Sequence, residues 1–221
     1  MSTNDWPGIL GDFEHLGRPD QPCHQYKEES YEHCTTALES YHHAAHALIY
    51  ADDDSIKFKL YPARAAIMMQ MRCDGYVGFP GGMVDDGENI EAAVNRELRE
   101  EIGLNLKKYK ITKEDHFMSQ VSEFKKLCLH FYVKKVTLEE FFEIEMDCLR
   151  APDHGTEVMG ALRVPLYTMG DGMRGFPVFL ANQFIGNARQ QLITALLKLG
   201  IMTEDEVIKV LKGTETFKSS L

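Results

Sequence analysis

The chain lacks most of the features that mark membrane, disulfide-stabilised and nucleic-acid-coating proteins. No apolar run comes near the roughly 20 residues that span a bilayer, and the opening stretch MSTNDWPGIL has neither the basic nor the long apolar region of a signal peptide. An intracellular location is therefore expected. The five cysteines, Cys23, Cys34, Cys73, Cys128 and Cys148, are odd in number and form no CxxC pair, which argues against a disulfide framework and predicts free thiols. Cys23-His24 and His33-Cys34 fit no common zinc spacing. Positive charge is scarce, with 24 lysines and arginines against 34 acids and a formal net charge of -10. Because nonspecific affinity for nucleic acid comes from cations meeting phosphates, this balance excludes a general coating role. It leaves open a polyanion held through a metal. There is no Walker A sequence, which weakens a P-loop reading; a Rossmann fold is not expected either, and no repeat of 20–50 residues occurs.

What is present is enough for one domain with a substantial core, at 221 residues. Residues 1–40 are rich in Pro, Gly, Asp, Glu and His without a sustained period, and read as a flexible extension outside the core with one short helix near 27–39. A domain over 41–200 and a C-terminal helix and tail over 201–221 complete the division. Strands are predicted at HAAHALIYA (43–51), RAAIMMQMR (64–72), HFMSQV (116–121), LCLHFYVKKV (127–136) and EVMGALRVPL (157–166). Helices are predicted at 89–103, 137–149, 182–199 and 203–212, and CDGYVGFPGG reads as a tight loop with short extended pieces. Strands interleaved with helices indicate an α/β fold, a sheet covered on its faces.

The helix predicted over 89–103 has Asn89 as N-cap and Gly103 as its stop. At 100° per residue, Ile90, Val94, Leu98 and Ile102 form an apolar stripe about 120° wide. Glu97 and Glu101 fall within it, at about -20° and +20°, and Glu100 lies at its edge. Like charges at this spacing destabilise a helix, and desolvated carboxylates call for a cation. Hard oxygen donors suit Mg²⁺ or Mn²⁺. A solvated acidic edge paired with Arg96 and Arg99 explains the same pattern, so periodicity alone leaves both readings standing.

The spacing goes further. Gly82, Glu88, Arg96-Glu97-Leu98, Glu100-Glu101 and Gly103-Leu104 occupy nine constrained positions, and in them the chain resembles the Nudix hydrolase family. The resemblance implies an α/β/α sandwich with a mixed sheet, in which the box forms a loop, a helix and a second loop. It implies that Glu97, Glu100 and Glu101 bind Mg²⁺ or Mn²⁺, with Gly81 and Glu157 completing the metal site. It also implies that Arg96 orients Glu97, that Gly82 permits close backbone approach, and that a pyrophosphate bond is cleaved. Glu88 is the member whose role is divided between structure and catalysis.

Around the box, HAAHALIYA, RAAIMMQMRCDGYVGFPGG, LHFYVKK, DHGTEV, RVPLYT and FIGNARQQL are similar to the Nudix subfamily of snoRNA-decapping enzymes that also hydrolyse inosine and deoxyinosine diphosphates. That resemblance implies capped RNA and purine nucleoside diphosphates (IDP, dIDP) as substrates, a homodimer, and residence in nucleus and cytoplasm. It carries purine binding over to His46, Arg72 and Gln191, with Ile185 and Asn187 nearby and Phe79 available to stack on the base. Imidazole or guanidinium N–H groups suit the 6-oxo acceptor of hypoxanthine and guanine. Met83 stands where relatives usually have Phe, and Asn187 where they have a small hydroxyl residue. Lys107, Lys108, Lys110, Lys125, Lys126, Lys134 and Lys135 are candidates for a phosphate-binding edge. A noncatalytic RNA- or protein-binding module is the alternative, and the intact acids speak against it.

Overall fold

Alternation along the first long apolar stretch decides the layering. In the computed structural model, which describes residues 26–220, the strands are β1 (Lys27–Glu29), β2 (His42–Lys57), β3 (Tyr61–Arg72), β4 (Val77–Gly78), β5 (Gly81–Met83), β6 (His116–Ser122), β7 (Leu127–Lys135) and β8 (Val158–Arg163). Helices are α1 (Tyr31–Thr36), α2 (Ile90–Ile102), α3 (Leu106–Tyr109), α4 (Leu138–Cys148), α5 (Phe176–Leu180), α6 (Ala188–Lys198) and α7 (Glu204–Ser219). Ala45, Ala47, Ile49 and Ala51 of β2 pack with α2 and α4, whereas Leu48 and Tyr50 pack with α5, α6 and α7. Period-2 side chains on a strand buried on both faces give this three-layer α/β/α sandwich directly.

The sheet runs β1-β6-β7-β2-β3-β4, with β5 paired to β2 and β8 to β3. It is mixed: β2 and β7 are parallel, and the other pairs are antiparallel. All five expected strands occur. The β2–β3 hairpin is longer than expected because it continues past the core, where DDDSIKFKL leaves Ile56, Phe58 and Leu60 exposed.

Residues 26–40, expected outside the core, belong to it. β1 pairs with β6, and Tyr26 and Cys34 are buried. A three-residue strand is too short to show a period, which is why its place is invisible in the sequence. Cys34, Cys73, Cys128 and Cys148 are free thiols; Cys23 and His24 lie outside the described residues. α1 lays Tyr31 against His116 and His130, which form a cluster with His43: His43 Nδ1 is 2.9 Å from His130 Nε2, and Ser119 Oγ is 2.9 Å from His130 Nδ1 and 2.8 Å from His116 Nε2. The Tyr31 and Tyr132 hydroxyls donate to Glu91 Oε1 at 2.9 and 2.8 Å. Burial pushes His130 down to about 3 and lowers His43 and His116.

The helix expected over 182–199 starts later, at Ala188. Residues 182–187 spend their backbone bonds on β4 instead, with Val77 N donating to Gln183 O at 2.8 Å and Ile185 N to Val77 O at 3.0 Å. The helix expected over 203–212 continues to Ser219, where the Thr214 hydroxyl donates to Pro177 O at 3.0 Å. Gly170-Asp171-Gly172-Met173-Arg174-Gly175 carries the G-x-G-x-x-G spacing of a dinucleotide loop. It follows no parallel strand and opens only the five-residue α5, so the Rossmann reading fails on context.

Candidate active site

α2 forms where expected. Asn89 Oδ1 accepts from Glu91 N and Ala92 N, Gly103 is the C-cap, and Ile90, Val94, Leu98 and Ile102 are buried. Burying that stripe carries Glu101 inward, to 4% exposure. The loop between β4 and β5 meets it there. Gly81 N donates to Glu101 Oε2 at 2.6 Å, and Gly81 has φ 132 with its missing Cβ directed onto Ala45 O, a place only glycine can fill. At Gly82 a Cβ would stand 2.6 Å from Glu97 Oε1, so the Glu97 carboxylate rests against bare backbone.

Arg96 ties the loop to the helix. It donates from Nε and Nη2 to the two Glu88 oxygens at 3.1 and 3.0 Å, from Nη1 to Glu97 Oε1 at 2.8 Å, and from Nη2 to Met83 O at 3.2 Å. Glu88 is thus the bidentate partner of Arg96, and that guanidinium holds its carboxyl below the usual range. Burial raises Glu97 against the pull of Arg96, with the charges of Glu100 and Glu157 adding to the rise. Burial pushes Glu101 up to about 8 despite its bond from Gly81.

Glu97, Glu101 and Glu157 line one wall of a cavity of about 370 Å³, with His46, Arg72, Gln191, Phe79, Gly81, Met83, Ile185 and Asn187 around the rest. Glu100 stands just outside this lining, half-buried, with Arg99 Nη2 3.0 Å and Arg96 Nη1 3.7 Å away. His46 opens onto the cavity, and this enclosure together with the Arg72 cation holds its imidazole down at about 4, so at neutral pH it is an uncharged donor and acceptor. Arg72 donates from Nε to both oxygens of Asp74 at 3.2 and 3.1 Å and from Nη2 to Oδ2 at 3.0 Å, so it is ion-paired and also borders the cavity. Phe79 is 3% exposed and meets Phe131 edge-to-face at 4.9 Å, so the ring packs into the core and also borders the cavity.

Some residues at this site are not predicted from the sequence. Gln120 Oε1 accepts from Asn187 Nδ2 at 2.6 Å and Gln191 Nε2 at 3.3 Å, fixing two of the cavity's amides. Tyr26 lines the end beside Leu127 and Leu129, together with Lys125, one of the lysines named above as phosphate-binding candidates. Gln70, 1% exposed, approaches Glu101, yet neither atom of its amide completes a hydrogen bond. The lysines do not form one edge. Lys125 and Lys126 precede β7, and Lys134 and Lys135 end it, roughly 25–30 Å away at about 3.3 Å per residue. Lys108, Lys126, Lys134 and Lys135 pair with Glu143, Glu123, Asp115 and Asp52.

The donor set suits a hard divalent cation: carboxylates alone, two of them desolvated, with an orphaned amide behind them. Among the described residues no three His, Cys, Asp or Glu side chains close as a cage around one point. Acids on one wall of an open cavity fit Mg²⁺ or Mn²⁺, which take one or two protein carboxylates and complete their shells from water and phosphate oxygens.

Residues 43–202 match the family described as Nudt16-like, U8 snoRNA-decapping enzyme-like. The chain is 46% identical over 179 residues to the U8 snoRNA-decapping enzyme of Xenopus laevis, covering 80% of this chain and 84% of that one. To the Bos taurus protein of the same name it is 48% identical over 162 residues, covering 72% and 83%. It is 39% identical over 182 residues to the Tudor-interacting repair regulator protein of Homo sapiens, covering 81% and 84%.

Proposed function

Since the chain belongs to the Nudt16-like family of Nudix hydrolases, we propose that it cleaves, with a divalent metal, the pyrophosphate bond of capped RNA and of purine nucleoside diphosphates, inosine and deoxyinosine diphosphate foremost. The observation that carries this reading is the sharing of one cavity by desolvated Glu97 and Glu101 and by His46, Arg72 and Gln191. A phosphate-handling wall and a base-handling wall face the same space.

Glu97, Glu101 and Glu157, with the Gly81 backbone, would hold Mg²⁺ or Mn²⁺ on that wall, with Glu100 at its border; bound there, the cation offsets the charge of the pyrophosphate and makes water a better nucleophile. Arg96 keeps Glu97 in place and Gly81 N keeps Glu101 in place, so neither carboxylate has to reorganise during the reaction. Water adds to one phosphorus, a glutamate takes its proton, and the P–O–P bond breaks. The products are a nucleoside monophosphate or a 5′-monophosphorylated RNA, and the other phosphorylated half. The neutral imidazole of His46 and the amide of Gln191 supply N–H groups for the 6-oxo oxygen of hypoxanthine or guanine. The same reading makes the protein a homodimer of nucleus and cytoplasm, to be checked by sedimentation and by imaging of the tagged chain.

The test is turnover of inosine, guanosine and adenosine diphosphates and a capped RNA, with Mg²⁺ and then Mn²⁺, beside Glu101→Gln. The expected outcome is inosine monophosphate and decapped RNA from the wild type, and a loss of about a thousandfold in the variant, on the scale of several kcal/mol for metal-borne charge stabilisation. Silence of the wild type on all four substrates would instead support the noncatalytic binding module.

A further inference from the structure

One residue that lines the cavity, Tyr26, lies outside residues 43–202, the part matched by the family. Tyr26, immediately before β1, is 6% exposed and lines the cavity with Ala44, Leu127 and Leu129, against which it packs. Its hydroxyl is 3.1 Å from Lys125 Nζ, and that ammonium stands 5.6 Å from the ring centroid. On the other side, a Cβ placed on Gly186 would lie 3.8 Å from the same hydroxyl. Tyr26 therefore reaches from the β6–β7 turn to the segment before α6, across the end of the cavity.

Its position is held from three directions. Lys27, Glu28 and Glu29 pair with Val121, Gln120 and Ser119, Cys34 is fully buried on the opposite face of the sheet beside Cys128 and Val121, and Tyr31 bonds Glu91. The polypeptide thus passes around the sheet edge, with α1 on one face and Tyr26 on the other. Along β2, Ala44 at the Tyr26 end and His46 beside Gly81 are two residues apart on one face, about 7 Å. A base held at His46 and Arg72, with its phosphates toward Glu97 and Glu101, then extends its remaining apolar surface toward Tyr26.

We propose that Tyr26 is a specificity-determining residue of this site: its ring is the aromatic wall at the base end, so the segment before the family domain selects for a large, two-ring base. The proposal rests on the reading of the cavity as a nucleotide site. Stacking a base on an aromatic side chain contributes about 1–3 kcal/mol, and 1.4 kcal/mol is tenfold in affinity.

The experiment compares the full chain with Tyr26→Phe, Tyr26→Leu and Tyr26→Ala, measuring kcat and KM for inosine and cytidine diphosphates and the melting temperature of each variant. Tyr26→Leu keeps apolar packing against Leu129 and so preserves the arm should Tyr26→Ala release it. Expected are a KM for inosine diphosphate about tenfold higher in Tyr26→Leu and Tyr26→Ala, kcat within about twofold, a smaller change for cytidine diphosphate, and near wild-type behaviour in Tyr26→Phe. Tyr26→Leu with an unchanged KM and an unchanged purine-to-pyrimidine ratio overturns the proposal, as does an equal loss on both substrates that follows the melting temperature. A wild type that neither binds nor hydrolyses any purine diphosphate overturns the nucleotide reading itself, and this inference with it.

Discussion

The acid wall and the base wall of the cavity are built in opposite ways. On the acid wall Glu157 alone comes from a distant segment; Glu88, Arg96, Glu97, Glu100 and Glu101 come from one stretch of chain, and the bonds that fix them run within that stretch or to the adjoining Gly81 and Met83. The base wall is assembled from six separate segments: Tyr26, β2 at Ala44 and His46, β3 at Arg72, β7 at Leu127 and Leu129, β6 through Gln120, and α6 through Asn187 and Gln191. On the proposed function a local motif supplies the chemistry, whereas recognition depends on strand register and on where helices dock. Damage to the first should appear in kcat, and damage to the second in KM.

The sharpest separation is expected at Arg96. Arg96→Met leaves the Glu88 and Glu97 carboxylates without their shared cation and lets Glu97 drift; a displacement of about 1 Å at such a site costs about a hundredfold in rate. Steady-state kinetics on inosine diphosphate should show that loss almost wholly in kcat. A smaller and opposite effect is expected from Gln120→Leu, which touches no substrate. It leaves the Asn187 and Gln191 amides unheld, and with about 0.5–1.5 kcal/mol per hydrogen bond should raise KM for purine diphosphates up to about tenfold with kcat unchanged. Equal falls in kcat for both variants would erase the distinction between the walls.

The smallest effect at neutral pH lies away from both walls, in the buried histidines. Burial lowers His130 to about 3 and depresses His43 and His116, so the folded state holds them neutral while the unfolded chain protonates near 6.5. Their stabilisation is fully present above pH 6.5 and is lost as pH falls below it toward the folded values, by up to about 1.4 kcal/mol per pH unit for each histidine. Thermal melts at pH 7.5, 6.0 and 5.0 should show this slope, and His130→Gln should flatten it while leaving kcat at neutral pH unchanged.

The acid wall was legible because a helix writes its contacts at fixed short spacings: the stripe Ile90, Val94, Leu98, Ile102 and the capping residues Asn89 and Gly103 stand where periodicity puts them. The sandwich was legible for a similar reason, from strands whose both faces are apolar. On the wall proposed to hold the base, resemblance alone named His46, Arg72 and Gln191, which the structure places around the cavity. Gln120 reads as an ordinary polar residue in a strand until α6 docks on it, and Tyr26 precedes a strand of three residues. Phe79 shows a related limit: an aromatic beside a glycine-rich loop suggests stacking, and its contact with Phe131 of β7 is not written in the local sequence.

The pairing of β1 with β6 also orders events in time. Lys27 meets Val121 about ninety residues further along the chain, and at about 5–20 residues per second of synthesis the arm waits several seconds or more for the strand it needs. Contacts so distant in sequence form late, after loop closure has been accomplished elsewhere. On this schedule the residues of the Nudix helix and its loop are synthesised before the strand on which the arm beside Tyr26 docks.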